Sequence, residues 1–231
     1  MAMKRKKKGM GFALSLILIL SVLLAACNSD SDSGSSDGDN ETIKVGIIGA
    51  FQLAAGKEIK DAAELAVKEI NENGGVLGKK LEAVYADTKA NPEEGRAVVE
   101  RLLYQDEVDF IVGEHRSEVA LAVQPVIMES KKIFVNTGSA SPLVTEAVKG
   151  DYEFNKYTFR PMMDSTQLGE GFLNQFAQMV ETEGYEKVAL IAETAVWVDP
   201  IVETFEKQFG DKVVLVERPA TDTEDFSIEL S

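Results

Sequence analysis

The sequence predicts an α/β protein built on a doubly wound parallel sheet. Three observations predict it. Short strand-like runs recur near residues 43–49, 81–87, 109–113 and 133–135, the first of them apolar and rich in Ile and Val, as a strand of a buried parallel sheet requires. Segments with apolar residues at helical spacing separate these runs. The connections are short, which suits strand–helix–strand crossovers within a single sheet.

In chain order, Thr42 leads into IKVGIIGA, a strand closed by Gly49. A helix over about 57–72 places Ile59, Ala62, Ala63, Ala66, Val67 and Ile70 on one face. Asn73-Gly74-Gly75 ends it, because glycine accepts a left-handed cap without a Cβ penalty. Leu81–Asp87 is the second strand. Pro92 opens the second helix, where its missing N–H does no harm, and Ala97, Val98, Arg101 and Leu102 continue it. Asp109–Gly113 is the third strand, Ser117–Ser130 the third helix and Ile133–Val135 the fourth strand.

From Asp151 the rhythm changes. Tyr157–Pro161 reads as an extended crossover into a second lobe, since Pro161 pushes the preceding residue away from helix. A helix over 165–183, a strand over 187–192, a helix over 200–209 and a strand over 213–217 follow. Two strands with so few helices are less than a free-standing core usually needs.

The stretch Val108–Pro142 organises the rest. It reads as strand, turn, helix, strand, turn, and both turns carry small polar residues. Turns that follow parallel strands open at the same sheet edge, so these two line one crevice with N–H groups and hydroxyls.

Composition narrows the function. Apolar residues make up 45% and charged residues 27% of the 231, the balance of a globular protein with a real core. The net charge of −15 is uneven. Residues 1–27 hold five of the 24 basic residues and no acid, leaving 19 basic against 39 acidic residues elsewhere. So negative a surface argues against nucleic acid or anionic lipid as a partner. Cys27 is the one cysteine and His115 the one histidine, so an internal disulfide and a Cys/His zinc site are excluded. No cofactor is implied.

The N-terminus reads as an address. Lys4–Lys8 is basic, and the 13 residues Phe12–Leu24 are apolar apart from two serines. That is short of the roughly 20 residues a spanning helix needs, and it fits a secretory signal. Asn28–Glu41 holds Ser, Asp and Gly but nothing apolar, the composition of a self-repelling tether.

Two resemblances sharpen this. Leu24-Ala25-Ala26-Cys27 resembles the lipobox of bacterial and archaeal lipoproteins, which implies cleavage before Cys27 and a lipid on its thiol. From residue 43 onward, IKVGIIGA, INENGGVLGKKLE, YADTKANPE, DFIVG, IFVNTGSASP, YTFRPMMDSTQLGEG, KVALIAE and TDTEDFS occur in one order. In that order they resemble the extracytoplasmic solute-binding proteins of branched-chain amino-acid ABC transporters. The resemblance implies a two-lobed type I periplasmic-binding fold with an incomplete second lobe, as in a truncated chain. The expected organisation is a signal peptide over 1–27, a tether over 28–41, a first lobe over 42–156, and a crossover with a partial second lobe over 157–231.

The resemblance also implies a site. In that family the turns after the third and fourth strands grip the ligand's α-carboxylate. The matching residues are His115, Arg116 and Ser117 in one turn, and Gly138, Ser139 and Ala140 in the other. Ser117 suits an N-cap, and a helix N-terminus favours an anion; a capping serine without a ligand is the plain alternative. Gly138 permits close backbone approach. Family members commonly carry threonine where Ala140 stands, and the His115-Arg116 pair replaces a small neutral turn. Arg116 therefore points to an anionic ligand, gripped by its guanidinium fork, unless the pair is simply solvated. The loop after the first strand is shorter than usual, with Phe51 or Gln52 in a place to cover the ligand. Trp197 falls near a tyrosine that closes on the ligand in relatives, as an apolar wall, a cation–π partner or a packed side chain. The family's ammonium-pairing acid has no counterpart here, which leaves Glu114 or Glu193 as substitutes.

The resemblance implies a membrane-anchored, extracytoplasmic protein that captures a small polar ligand, an amino acid above all, for an ABC permease. It is not an enzyme. A sensory lipoprotein of the same fold and a non-functional fragment are the alternatives. Enzyme chemistry has little to stand on, because Gly46-Ile47-Ile48-Gly49 is no dinucleotide fingerprint and no nucleophile has a base beside it.

Overall fold

This computed structural model describes residues 42–221, 223 and 225–227. The expected signal peptide, the lipid attachment expected at Cys27 and the expected tether lie outside the described residues. No helix among the described residues is long and apolar enough to cross a membrane.

Five parallel strands form the first sheet: β1 (Ile43–Gly49), β2 (Leu81–Asp87), β3 (Phe110–Gly113), β4 (Ile133–Asn136) and β5 (Thr158–Phe159), in the order β2-β1-β3-β4-β5. Helices α1 (Ala54–Glu72), α2 (Pro92–Tyr104) and α3 (Ser117–Glu129) join them. The pleat sorts the strands' side chains. Ile48, Ile111 and Phe134 meet Val99 and Leu102 of α2 and Val119, Val123 and Ile127 of α3 in a sealed core. Ile47 and Val112 face the other way, toward α1. The sheet is thus doubly wound, as the alternation predicts. Its direction of growth reverses between β1 and β3, and a crevice opens at that switch point beyond the strands' C-terminal ends.

Two short helices, α4 (Leu143–Gly150) and α5 (Tyr152–Asn155), lead to β5. The segment expected as a crossover therefore first serves as an edge strand, with Thr158 opposite Phe134 and Phe159 opposite Val135. The chain then enters the second lobe through α6 (Ser165–Glu183), β6 (Val188–Ile191), α7 (Asp199–Phe209) and β7 (Val213–Glu217). β6 and β7 pair in parallel as a separate two-stranded sheet, packed on Leu173, Phe205 and Phe209. Asp164 caps α6 through a reciprocal box with Gln167, and Gly184 ends that helix in the left-handed region.

Candidate functional site: a cleft at the switch point

The turns that define the crevice are extensions of the sheet ladder. Glu114 N–H donates to Ile48 O at 2.9 Å, Thr137 N–H to Gly113 O at 3.1 Å, and Gly138 N–H to Glu114 O at 3.1 Å. Backbone bonds thus continue past the last residues of β3 and β4, and the two turns are fixed beside one another. Gly113 makes the first turn possible. Its φ is +130°, and a Cβ there would lie 2.1 Å from Ile48 O. Gly138 lets the second turn lie on the first, since a Cβ there would meet His115 Cβ at 2.9 Å.

The turn after β3 is organised by Glu114, which is fully buried with φ +66°. Its Oε1 accepts the N–H groups of His115 (2.9 Å) and Arg116 (2.8 Å), and its Oε2 accepts the Thr88 hydroxyl (2.8 Å). Burial pushes its carboxyl above the usual range, while these donors and the nearby Arg116 charge pull it down. Both oxygens are committed inside the protein, so Glu114 shapes the turn and is no partner for a ligand's ammonium.

Ser117 departs from its expected local role. Arg116 occupies the N-cap position of α3 and makes no side-chain cap bond; Ser117 is the first helical residue. Its fully buried Oγ accepts from Ser139 Oγ (3.3 Å) and Ser141 N–H (3.2 Å), so it ties the two turns together instead of capping the helix. Ser139 is also fully buried, with its N–H on Asn136 Oδ1 at 3.1 Å.

The other predicted residues divide clearly. A cleft of about 340 Å³ is lined from the first lobe by His115, Arg116, Gly138 and Ala140, and from the second by Glu193 and Trp197. Ala55, Met162 and Leu168 complete its apolar walls. Phe51 does not line this cleft. Its ring packs edge-on to Tyr85 at 6.3 Å and its N–H donates to Asp87 Oδ1 at 3.2 Å, while Ala55 of α1 lines the cleft.

The cleft's charges lie on opposite walls. Arg116, 19% exposed, reaches Glu118 at 3.7 Å and the Thr221 hydroxyl at 3.5 Å. Trp197 Nε1 donates to Glu193 Oε1 at 2.7 Å, which fixes the indole and the carboxylate as a unit. Among the described residues neither ring nitrogen of His115 has a hydrogen-bond partner, and Nδ1 lies 3.8 Å from Glu114 Oε1. Burial and the Arg116 charge both hold that imidazole below its usual pKa, so it is neutral near pH 7. Among the described residues no cluster of His, Cys, Asp and Glu could hold a metal ion.

Two positioning residues escape a reading of the sequence. Arg160, its side chain only 4% exposed, donates to Ser141 O (2.6 Å), the Thr145 hydroxyl (2.9 Å) and Asp164 Oδ2 (3.0 Å). It thereby joins the turn after β4 to the start of α6, where Ser165 N–H also bonds Ala140 O at 2.8 Å. Glu118 of α3 accepts Val196 N–H at 3.1 Å and so joins the first lobe to the loop that carries Trp197. One signal for Arg160 was within reach: it precedes Pro161 and stands four residues before the capping Asp164.

A type I two-lobed α/β fold with a ligand-sized cleft at the switch point defines a class of solute receptor. Residues 42–230 match the periplasmic binding protein family, and the chain belongs to it. Members of that family are solute-binding proteins, not enzymes. Among curated relatives, the Leu/Ile/Val-binding protein homolog 2 of Brucella abortus is 33% identical over 95 residues, 41% of this chain and 25% of that one. The fold is similar to the branched-chain amino acid substrate-binding protein of Streptococcus pneumoniae in complex with isoleucine. That match has a TM-score of 0.72 and 25% identity over 82% of this chain and 53% of that one. It is also similar to an ABC-transporter solute-binding protein of Rhodopseudomonas palustris in complex with p-hydroxybenzoic acid. There the TM-score is 0.66, with 27% identity over 82% and 50% of the two chains. This chain spans about half the length of both solved structures.

Proposed function

We propose that this protein captures a small carboxylate-bearing solute, an amino acid or a related organic acid, between its two lobes for an ABC importer. The observation that carries the reading is the cleft itself. A guanidinium from Arg116 faces a carboxylate and an indole from Glu193 and Trp197 across apolar walls, in about 340 Å³. That volume is at the small end of ligand pockets, which run to about 300–1,000 Å³. The named ligands of the two structural relatives, isoleucine and p-hydroxybenzoic acid, share a carboxylate and an apolar body. Arg116 answers the first, and Ala140, Met162, Leu168 and Trp197 answer the second.

Capture needs no covalent step. A ligand that touches both walls favours the closed arrangement by whatever it binds better in that state. The bonds from Glu118 to Val196 and from Arg116 to Thr221 already span the lobes, so closure has a built-in register. Ser117 and Ser139 serve the site from beneath by tying the two turns together, which holds Arg116 and Ala140 at the cleft wall. We further propose that the protein works outside the membrane, anchored through a lipid on Cys27, with the permease as its partner.

Calorimetric titration with amino acids, dicarboxylates and benzoates tests the binding reading. One class should saturate the protein, and Arg116→Ala should weaken that binding at least about tenfold, a loss of roughly 1.4 kcal/mol. Unchanged affinity in the variant removes Arg116 from the site. For the anchor, Cys27→Ser should move the protein from the membrane fraction to the soluble extracytoplasmic fraction; continued membrane association contradicts the lipid.

A further inference from the structure

We propose that Glu118 is the latch of the cleft: it touches no ligand, but it holds the second-lobe wall against the first and so sets how slowly a bound solute leaves. The proposal rests on the binding function above and deepens it by assigning a positioning residue. Glu118 stands in the first turn of α3, two residues after Arg116, and does not line the cleft. Its two oxygens serve the two lobes. Oε1 accepts the Val196 N–H at 3.1 Å, and that N–H has no other partner among the described residues. Oε2 is buried without a hydrogen bond, 3.7 Å from the Arg116 guanidinium. So loose a pair keeps Arg116 at the wall and leaves most of its five donors for a carboxylate.

The latch grips a firm piece of the second lobe. Val196 lies between β6 and α7, on the loop whose Glu193 and Trp197 line the cleft. Its neighbours Ala195 and Val198 are buried with Val202 of α7 in a small apolar cluster. Thr194 ties the same loop to the chain after β7, its N–H donating to Pro219 O at 2.8 Å and its hydroxyl to Arg218 O at 2.7 Å. The loop therefore moves with its lobe, and a bond to Val196 is a bond to the whole wall. Other bonds between the lobes differ in kind. Those from Arg160 to Asp164 and from Ser165 N–H to Ala140 O belong to the crossover, where the chain itself already joins the lobes. Glu118 and Val196 are 78 residues apart, so no short connection keeps them together and the bond breaks when the lobes part. The bond from Arg116 to Thr221 is a weaker companion, 3.5 Å long and exposed. A contact made only in the closed arrangement favours that arrangement, and it slows departure more than it speeds arrival.

Two variants isolate the bond. Glu118→Gln and Glu118→Ala both remove the charge beside Arg116, but the glutamine's amide oxygen can still accept the Val196 N–H. The probes are amino acids, dicarboxylates and benzoates, isoleucine and p-hydroxybenzoate among them, and stopped-flow emission of Trp197 reads their binding and release. For the probe that wild type binds best, Glu118→Ala should release it about tenfold faster, with association within about threefold of wild type. Glu118→Gln should release it within about threefold of the wild-type rate. Amide hydrogen exchange without any probe follows the same bond. The Val196 N–H should exchange at least about tenfold faster in Glu118→Ala than in the other two proteins, while β1 and β3 stay equally protected in all three. Equal release rates in the two variants overturn the latch and leave the binding function standing. Faster release in Glu118→Ala together with lost protection in β1 and β3 also overturns the latch alone, since Glu118 then serves only stability. A wild type that binds none of the probes overturns the binding function and the latch with it.

Discussion

Replacing Glu114 with alanine should destabilise the protein far more than replacing it with glutamine. In the native turn Glu114 Oε1 accepts the His115 and Arg116 N–H groups at 2.9 and 2.8 Å, and Oε2 accepts the Thr88 hydroxyl at 2.8 Å. Alanine orphans the two N–H groups, each at a cost of about 1–3 kcal/mol. The buried carboxylate disappears at the same time, which returns part of that cost, while the left-handed backbone at φ +66° stays. The net loss is about 2–4 kcal/mol, or roughly 5–15 °C in melting temperature for a domain of this size. Glutamine keeps both N–H bonds through its carbonyl oxygen and offers its amide N–H to Thr88, so it should stay within about 1 kcal/mol of wild type at pH 7. The pH profile separates the two further. The folded pKa of Glu114 is raised above its ordinary 4.5, so the folded state holds the proton at higher pH than the unfolded chain does. That contribution to stability is fully present below pH 4.5 and is lost as pH rises through the raised value. Wild type should therefore gain on Glu114→Gln as the solution is acidified toward pH 4.5. Urea melts followed by circular dichroism read both effects. Alanine and glutamine variants of equal stability would refute the account of this turn.

Other substitutions follow from the same geometry. Arg160→Ala leaves Asp164 and the Ser141 carbonyl without their buried partner and should cost about 3–5 kcal/mol in a urea melt, with Arg160→Lys recovering part of it. Gly138→Ala forces a Cβ to within 2.9 Å of His115 Cβ, so it should cost about 1–3 kcal/mol and weaken ligand binding along with stability. His115 has a folded pKa below its ordinary 6.5, so stability should fall as pH drops from 6.5 through the lowered value, where the unfolded chain takes the proton first. His115→Asn should remove that decline, and a pH series of thermal melts on both proteins decides it.

The sheet was legible because each strand announces itself. IKVGIIGA and DFIVG are continuous apolar runs, and only a strand buried on both faces uses such runs between helices of this spacing. The turns after DFIVG and IFVN place His115, Arg116 and Gly138 at one edge of a parallel sheet from the sequence alone. The short helices α4 and α5 carry no such pattern, and β5 is two residues followed by Pro161, which reads as linker until β4 is seen beside it. Ser117 looked like a cap because hydroxyls at helix starts usually are. Its true role depends on Ser139 and Ser141, more than 20 residues away, which no local rule can reach. Glu114, Arg160 and Glu118 share that character in part, since Thr88, Ser141 and Val196 are partners that only the fold brings near. Phe51 stands beside Tyr85, 34 residues on, and that edge-on ring contact is likewise out of reach of a local rule.

Trp197 is the single tryptophan of the chain and stands on the cleft wall, bonded to Glu193. Its fluorescence therefore reports the cleft without any label. Titration with apolar L-amino acids and benzoates should give a saturable change in Trp197 emission for one class. That change should require higher ligand concentrations in Arg116→Ala. A flat signal across the whole panel at millimolar ligand, with calorimetry equally silent, would contradict the claim that this cleft holds a small carboxylate solute.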